Sequence, residues 1–200
     1  MADKPDARPW SRSVTKLLGF AEKSGVRIIG VTGQTFGVGT SLLSDGLAHA
    51  YAEFGKPTLL VDASRLEIDR NSISEDRDIP FDLLSLARRS NTGLSTIDLA
   101  EFADELPSGR TAFRKMFEAV SAKGITVVVD LPPVSTAPGA GVPTFMVAGA
   151  ACEMVFLVCL SGMVTKAELG DCIEICKIDG VKLGGIIPND WMLPGSKLLS

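Results

Sequence analysis

Three short stretches hold residues whose types and spacing could do chemistry on a phosphate. The first is T-G-Q-T-F-G-V-G-T-S, Thr32 to Ser41. Gly37 and Gly39 free the backbone to curl, so that consecutive N–H groups can point at phosphate oxygens. A helix beginning near Thr40 would add its positive end. Ser41 falls where the pattern GxxxxGK[ST] puts a magnesium-binding hydroxyl. The pattern fails twice, with Gln34 for the first glycine and Thr40 for the lysine. The second and third stretches, TLLVDAS and ITVVVDLPPV, each close an apolar run with an aspartate, Asp62 and Asp130. A carboxylate at the tip of a buried strand can hold a magnesium-bound water or orient an attacking group beside phosphates. Each feature alone has a plainer reading: a tight strand-to-helix connection for the glycines, a helix cap or a solvated strand end for each aspartate.

The elements that must position these residues follow from the apolar pattern. Short apolar runs alternate with helical periodicity: VRIIGVT, a helix over Ser41–Phe54, PTLLVD, a helix over Arg110–Ala122, ITVVVD, a helix near Thr144–Ala150, EMVFLVCL, a helix over Thr165–Ile178 and KLGGIIP. This rhythm predicts an α/β fold, a doubly wound and mostly parallel sheet with helices on both faces. In such a sheet ligands bind outside the carboxyl ends of the strands, where all three stretches lie. STIDLA, Ser95–Ala100, reads as one more short strand, and the charged stretch Ser64–Pro80 as a long loop. A helix with apolar Val14, Leu17, Leu18 and Ala21 is expected over about Ser11–Lys23, packed on the domain outside the sheet. Residues 1–10 read as a flexible N-terminus, 11–190 as a single domain and 191–200 as a tail.

Bulk properties narrow the classes. The chain has 200 residues, 46% of them hydrophobic, enough for a substantial core. The net charge of −4 gives no electrostatic reason to expect nucleic acid. The polar start MADKPDARPWSRS does not read as a signal peptide, so a cytoplasmic location is expected. The apolar region Val142–Val164 is interrupted by Glu153 and reads as a buried helix and strand, not a membrane span. Cys152, Cys159, Cys172 and Cys176 fit neither a disulfide framework nor a paired metal motif and read as small apolar fillers; Cys172 and Cys176 could share a helix face.

The glycine turn, the first acidic strand end and the second come in the order used by P-loop ATPases. The chain resembles the MinD/ParA group of deviant P-loop proteins, and within it the bacterial tyrosine kinase (BY-kinase) domains that accompany exopolysaccharide and capsule export. Their loop reads like T-S-x-x-P-G-E-G-K-S, against Thr32–Ser41. A following strand reads like L-L-I-D-A-D, against Leu59–Ser64, and a later one I-I-D-T-P-P-V, against Val128–Val134. The segment from Cys152 to Asp190 resembles the family's closing strand, helix and strand, so the likeness spans about Val26 to Asp190. It implies ATP or ADP with Mg2+, phosphates over Gly37, Val38, Gly39 and Thr40, magnesium at Ser41, Asp62 and Asp130, and adenine near Asn189. It also implies a membrane polysaccharide co-polymerase as partner, a homodimer as a possible assembly, and a place at the inner face of the membrane through that partner.

The departures shape the expected function. Thr40 removes the charge that neutralises the β and γ phosphates, Ser64 replaces a second family aspartate, and Arg65 lies one position from the family's arginine. The E-x-x-R-x-x-R oligomerisation motif is absent from WSRSVTKLLGFAEKSG. A single tyrosine, Tyr51, falls inside a predicted helix and MLPGSKLLS carries none, which argues against autokinase activity. The leading expectation is a BY-kinase-like pseudokinase, a regulatory protein of exopolysaccharide biosynthesis or export and a nucleotide-dependent switch; Asp62 and Asp130 are the catalytic candidates should it turn over. Two alternatives stay open. One is a weak MinD/ParA-type ATPase organising a membrane-associated complex, against which stand the lack of a lysine at Gln34 or Thr35 and of a basic amphipathic C-terminal helix. The other is a nucleotide-free scaffold, docking through Trp191, Met192 and Leu193. Lys166, Arg88 and Arg89 read as residues of solvated helix faces, not as substitutes for the missing lysine.

Overall fold

The computed structural model of the chain describes residues 11–68, 81–107, 109–134 and 144–190. The expected flexible N-terminus, the 191–200 tail with its apolar residues and most of the charged loop lie outside the described residues. The first element is helix α1 (Ser11–Ser24), followed by strand β1 (Ile28–Gly33), helix α2 (Thr40–Glu53) and strand β2 (Thr58–Asp62). After one turn of helix, α3 (Leu83–Leu86), come β3 (Arg88–Arg89), β4 (Leu94–Asp98) and a 3-10 turn over Leu99–Phe102. Helix α4 (Arg110–Ser121), β5 (Thr126–Asp130), a π-helical turn over Phe145–Gly149, β6 (Met154–Leu160), α5 (Lys166–Ile178) and β7 (Leu183–Asn189) complete the order.

The seven strands form one sheet in the order β3-β4-β2-β5-β1-β6-β7. Every pairing is parallel except that of β3 with β4. β1 and β5 are buried along their whole length, which requires strands apolar on both faces, and the β-branched runs IIGVT and TVVVD supply them. Alternate residues feed two cores. Ile28, Val127 and Val129 pack with α4, the π-helical turn and α5 on one face. Ile29, Val31 and Val128 pack with α1 and α2 on the other. Helix α1 lies outside the sheet, as its apolar stripe requires, with Val14, Leu17 and Ala21 buried against that second core. All four cysteines are buried and unlinked, with Cys172 and Cys176 on the inward face of α5.

Three features differ from the sequence reading. Arg88 and Arg89 belong to no helix: they form the exposed two-residue edge strand β3, opposite Thr96 and Ser95. A charged, very short edge strand discourages further pairing, and is too short to show period-two alternation. The helix expected near Thr144–Ala150 is wound as a π turn, with the Phe145 ring against Gly149, where a Cβ would lie 3.3 Å from it. Between β2 and β4 the chain inserts α3, four residues long and capped by Asp82. Among the described residues no helix is long and apolar enough to cross a membrane.

Candidate functional site

Strand order sets the site. From β1 the chain passes over β5 to β2, and from β5 it passes over β1 to β6, so a crevice opens at the carboxyl end of β1, where loops depart in opposite directions. The loop from Gly33 to Gly39 fills it. Gly37 and Gly39 adopt φ of 78° and 93°, the left-handed region in which a side chain is strained. Gly33 serves differently: a Cβ there would overlap the Val38 side chain, and Val38 uses that space to bury itself completely. Asn189, at the end of β7, donates its amide Nδ2 to the Val38 carbonyl at 2.8 Å. The loop is thus pinned at Val38 through both side chain and main chain. The segment after Asp130 laces to the same place, with Thr32 Oγ1 donating to the Pro132 carbonyl at 2.7 Å and the Val134 N–H to the Gly33 carbonyl at 2.8 Å. Gly39 is the N-cap of α2 and contributes no side-chain cap. Its first-turn amides therefore keep the capacity to bind an anion.

Facing this helix start is a row of carboxylates. Asp62 is the register partner of Asp130 on one side and of Asp98 on the other, so three aspartates end adjacent parallel strands. Asp62 follows Leu60 and Asp130 follows Val128 on the α2 side of the sheet. Asp98 is committed elsewhere, paired with Arg65 at 2.7 Å and capping Ala100. Asp62 is braced by Ser64, whose N–H and hydroxyl both donate to Oδ1, at 2.9 and 2.6 Å. Asp130 is 3% exposed. Burial pushes its carboxyl up to about 6, with the Asp62 charge adding to the rise and hydrogen bonds from Ser41 and Ser44 opposing it. The Ser44 hydroxyl lies 3.2 Å from Asp130 Oδ1 and 3.1 Å from the Thr40 carbonyl.

The structure therefore brings Gly37, Val38, Gly39, Thr40, Ser41, Asp130 and Asn189 to one loop and its underside, with Asp62 one strand away. Arg88 is held by Glu101, at 2.8 Å, and Lys166 is exposed at the first turn of α5. Sequence reasoning missed Ser44 and Asp98. Three residues beyond Ser41 on a helix, Ser44 falls on a neighbouring face, which is the signal that could have found it. Asp98 ends a strand already recognised, in the manner of Asp62 and Asp130. A cavity of about 210 Å³ over β2 and β4 reaches Asp62 and Asp98 but not the glycine loop. Its other acid, Glu101, is taken by Arg88.

The donor set suits magnesium. Ser41, Asp62 and Asp130 offer hard oxygens, the preference of that ion. Among the described residues the groups that bear on buried Asp130 are two hydroxyls and another carboxylate, with no cation. A divalent ion would stabilise its ionised form.

No protein-family model and no curated protein matches the sequence. Solved structures do. The BceF tyrosine kinase domain superposes with a TM-score of 0.62 at 26% identity, over 88% of this chain and 74% of that one. The MinD cell division protein of Aquifex aeolicus gives 0.57 at 16% identity, over 82% and 68%. Cobyrinic acid a,c-diamide synthase of Mycobacterium smegmatis, crystallised with ADP and magnesium, gives 0.55 at 17%, over 82% and 74%. Motifs and fold agree: the chain is similar to BY-kinase domains and to MinD-type ATPases, with their P-loop-like α/β architecture.

Proposed function

We propose that this chain is a regulatory, BY-kinase-like protein of bacterial exopolysaccharide biosynthesis or export, which binds ATP or ADP with Mg2+ as a conformational switch and lacks tyrosine autokinase activity. The observation that carries the reading is the glycine loop, pinned at Val38 by Asn189 and running into a helix whose Ser44 meets Asp130, the register partner of Asp62, with threonine where the lysine of the P-loop pattern would stand. The backbone of Gly37 to Thr40 cradles the phosphates, and Ser41, Asp62 and Asp130 hold magnesium. Asn189, bonded to the loop, is the adenine-side residue by resemblance. Magnesium would supply the positive charge that Thr40 does not. Nucleotide then favours one state of the protein by its differential affinity, and a partner reads that state. The partner of matching kind is a membrane polysaccharide co-polymerase, which would hold the protein at the inner face of the membrane; self-association is a second way to read the switch.

Calorimetric titration with ATP and with ADP, with and without magnesium, tests this on the wild type and on the Asp62→Ala, Asp130→Ala double variant. Magnesium-dependent binding lost in the variant is the expected result. No binding at millimolar nucleotide overturns the switch and leaves a scaffold. Turnover that depends on both aspartates would favour a weak MinD-type ATPase instead.

A further inference from the structure

Ser44 is 1% exposed and sits one helical turn beyond Thr40, on the side of α2 that faces β5. Its hydroxyl oxygen is 3.1 Å from the Thr40 carbonyl and 3.2 Å from Asp130 Oδ1. A serine hydroxyl has one hydrogen, and here it faces two acceptors. An ionised carboxylate accepts more strongly than an amide carbonyl, so with Asp130 ionised the hydrogen goes to the carboxylate. Ser44 thereby ties the first turn of α2, which carries the glycine loop and Ser41, to the strand end of β5. The other hydroxyl on Asp130, that of Ser41, is the one the site would offer to magnesium. Once the Ser41 oxygen is drawn toward a metal, Ser44 is the partner that keeps its place behind the carboxylate.

We infer that Ser44 is a positioning residue of the nucleotide site: it fixes the Asp130 carboxylate relative to Ser41 and the loop, so that the two act together on a magnesium–nucleotide complex. This rests on the nucleotide-binding reading above. Groups that orient a metal ligand from behind matter through metal-dependent affinity, and their loss costs about 10- to 100-fold in it. A residue that merely supports α2 would affect binding with and without metal alike.

The test compares wild type, Ser44→Ala and Ser44→Thr by calorimetric titration with ADP, in excess magnesium and in excess EDTA, with the melting temperature of each variant recorded. The expected result for Ser44→Ala is a loss of about tenfold or more in affinity with magnesium, unchanged affinity in EDTA, and recovery in Ser44→Thr, which keeps the hydroxyl. An equal loss in both conditions, or no loss, overturns the positioning role while leaving the nucleotide site intact. If wild type itself binds no nucleotide, the functional reading falls first and the role of Ser44 with it. Should Ser44→Thr melt well below wild type because its extra methyl meets the core, Ser44→Ala alone decides, through the ratio of its magnesium and EDTA affinities.

Discussion

At the residue scale, Asp130 holds the largest unresolved cost in the site. Its folded value of about 6 lies above the ordinary 3.8 because burial disfavours the charge. The folded state therefore binds the proton more tightly than the unfolded chain. Its contribution to stability is most favourable below the ordinary carboxylate value, falls as pH rises toward 6, and is flat above it. The penalty at neutral pH is on the order of 3 kcal/mol. Asp130→Asn removes the charge and keeps an oxygen to accept from Ser44. It should raise the metal-free stability at pH 7.5 by about that amount, with the gain vanishing near pH 4. Urea denaturation of both proteins at the two pH values checks this, and an equal stability at pH 7.5 would contradict it. On the proposed function the same substitution should abolish magnesium-dependent nucleotide binding, since the proposed ligand is exchanged for a neutral amide. A buried carboxylate that destabilises the fold at the mouth of the glycine loop breaks a stability rule where the proposed site lies.

At the element scale, α2 joins the loop to the sheet, and its first turn sets the surroundings of Thr40. The N-cap is glycine with no side-chain cap, so the helix end is positive and incompletely satisfied. A lysine at position 40 would add like charge to it. Thr40→Lys should lower metal-free stability by about 0.5 kcal/mol and raise ATP affinity by about tenfold, if the new ammonium reaches the phosphates as a charge-assisted donor. Differential calorimetry and titration read the two effects separately; unchanged ATP affinity would show that the loop does not present phosphate to this position. The elements around the loop were largely legible because their signals are long. Each of β1, β2, β5, β6 and β7 is an apolar run, and α4 buries Phe113, Met116, Phe117 and Val120 at helical spacing. What escaped was short or tertiary in origin. β3 is two charged residues whose only reason to be a strand is the neighbouring β4, and α3 is one turn held by the Asp82 cap. The glycine loop could be read from φ-permissive residues in sequence. Its clamp could not, because Asn189 lies 151 positions from Val38. For Ser44 the spacing from Ser41 was legible but its partner was not: 86 positions separate it from Asp130, and the folding of α2 across β5 brings them together.

At the scale of the whole molecule, the likeness to tyrosine kinases raises the question of whether this chain can be its own substrate. Its one tyrosine, Tyr51, projects from α2 into the core shared with α1 and is 1% exposed. Its hydroxyl has no hydrogen-bond partner among the described residues, and burial, aided by the charge of Glu22, pushes its ionisation up to about 12. Lys56, ion-paired with Glu22, lies 5.8 Å over the ring. Phosphorylation would place a charge of nearly −2 in this core, where even a neutral unpaired polar group is costly. The folded protein should therefore incorporate no phosphate at Tyr51 on incubation with ATP and magnesium, as read by intact-mass and peptide mass spectrometry. A stoichiometric phosphotyrosine on the folded chain would overturn the non-kinase reading. Tyr51→Phe supplies the matching structural control: it deletes an unsatisfied hydroxyl while keeping the ring, so it should leave stability unchanged or raise it by about 1 kcal/mol. A marked loss would mean that the hydroxyl serves the α1–α2 contact after all, and with it the packing that holds the loop helix against the sheet.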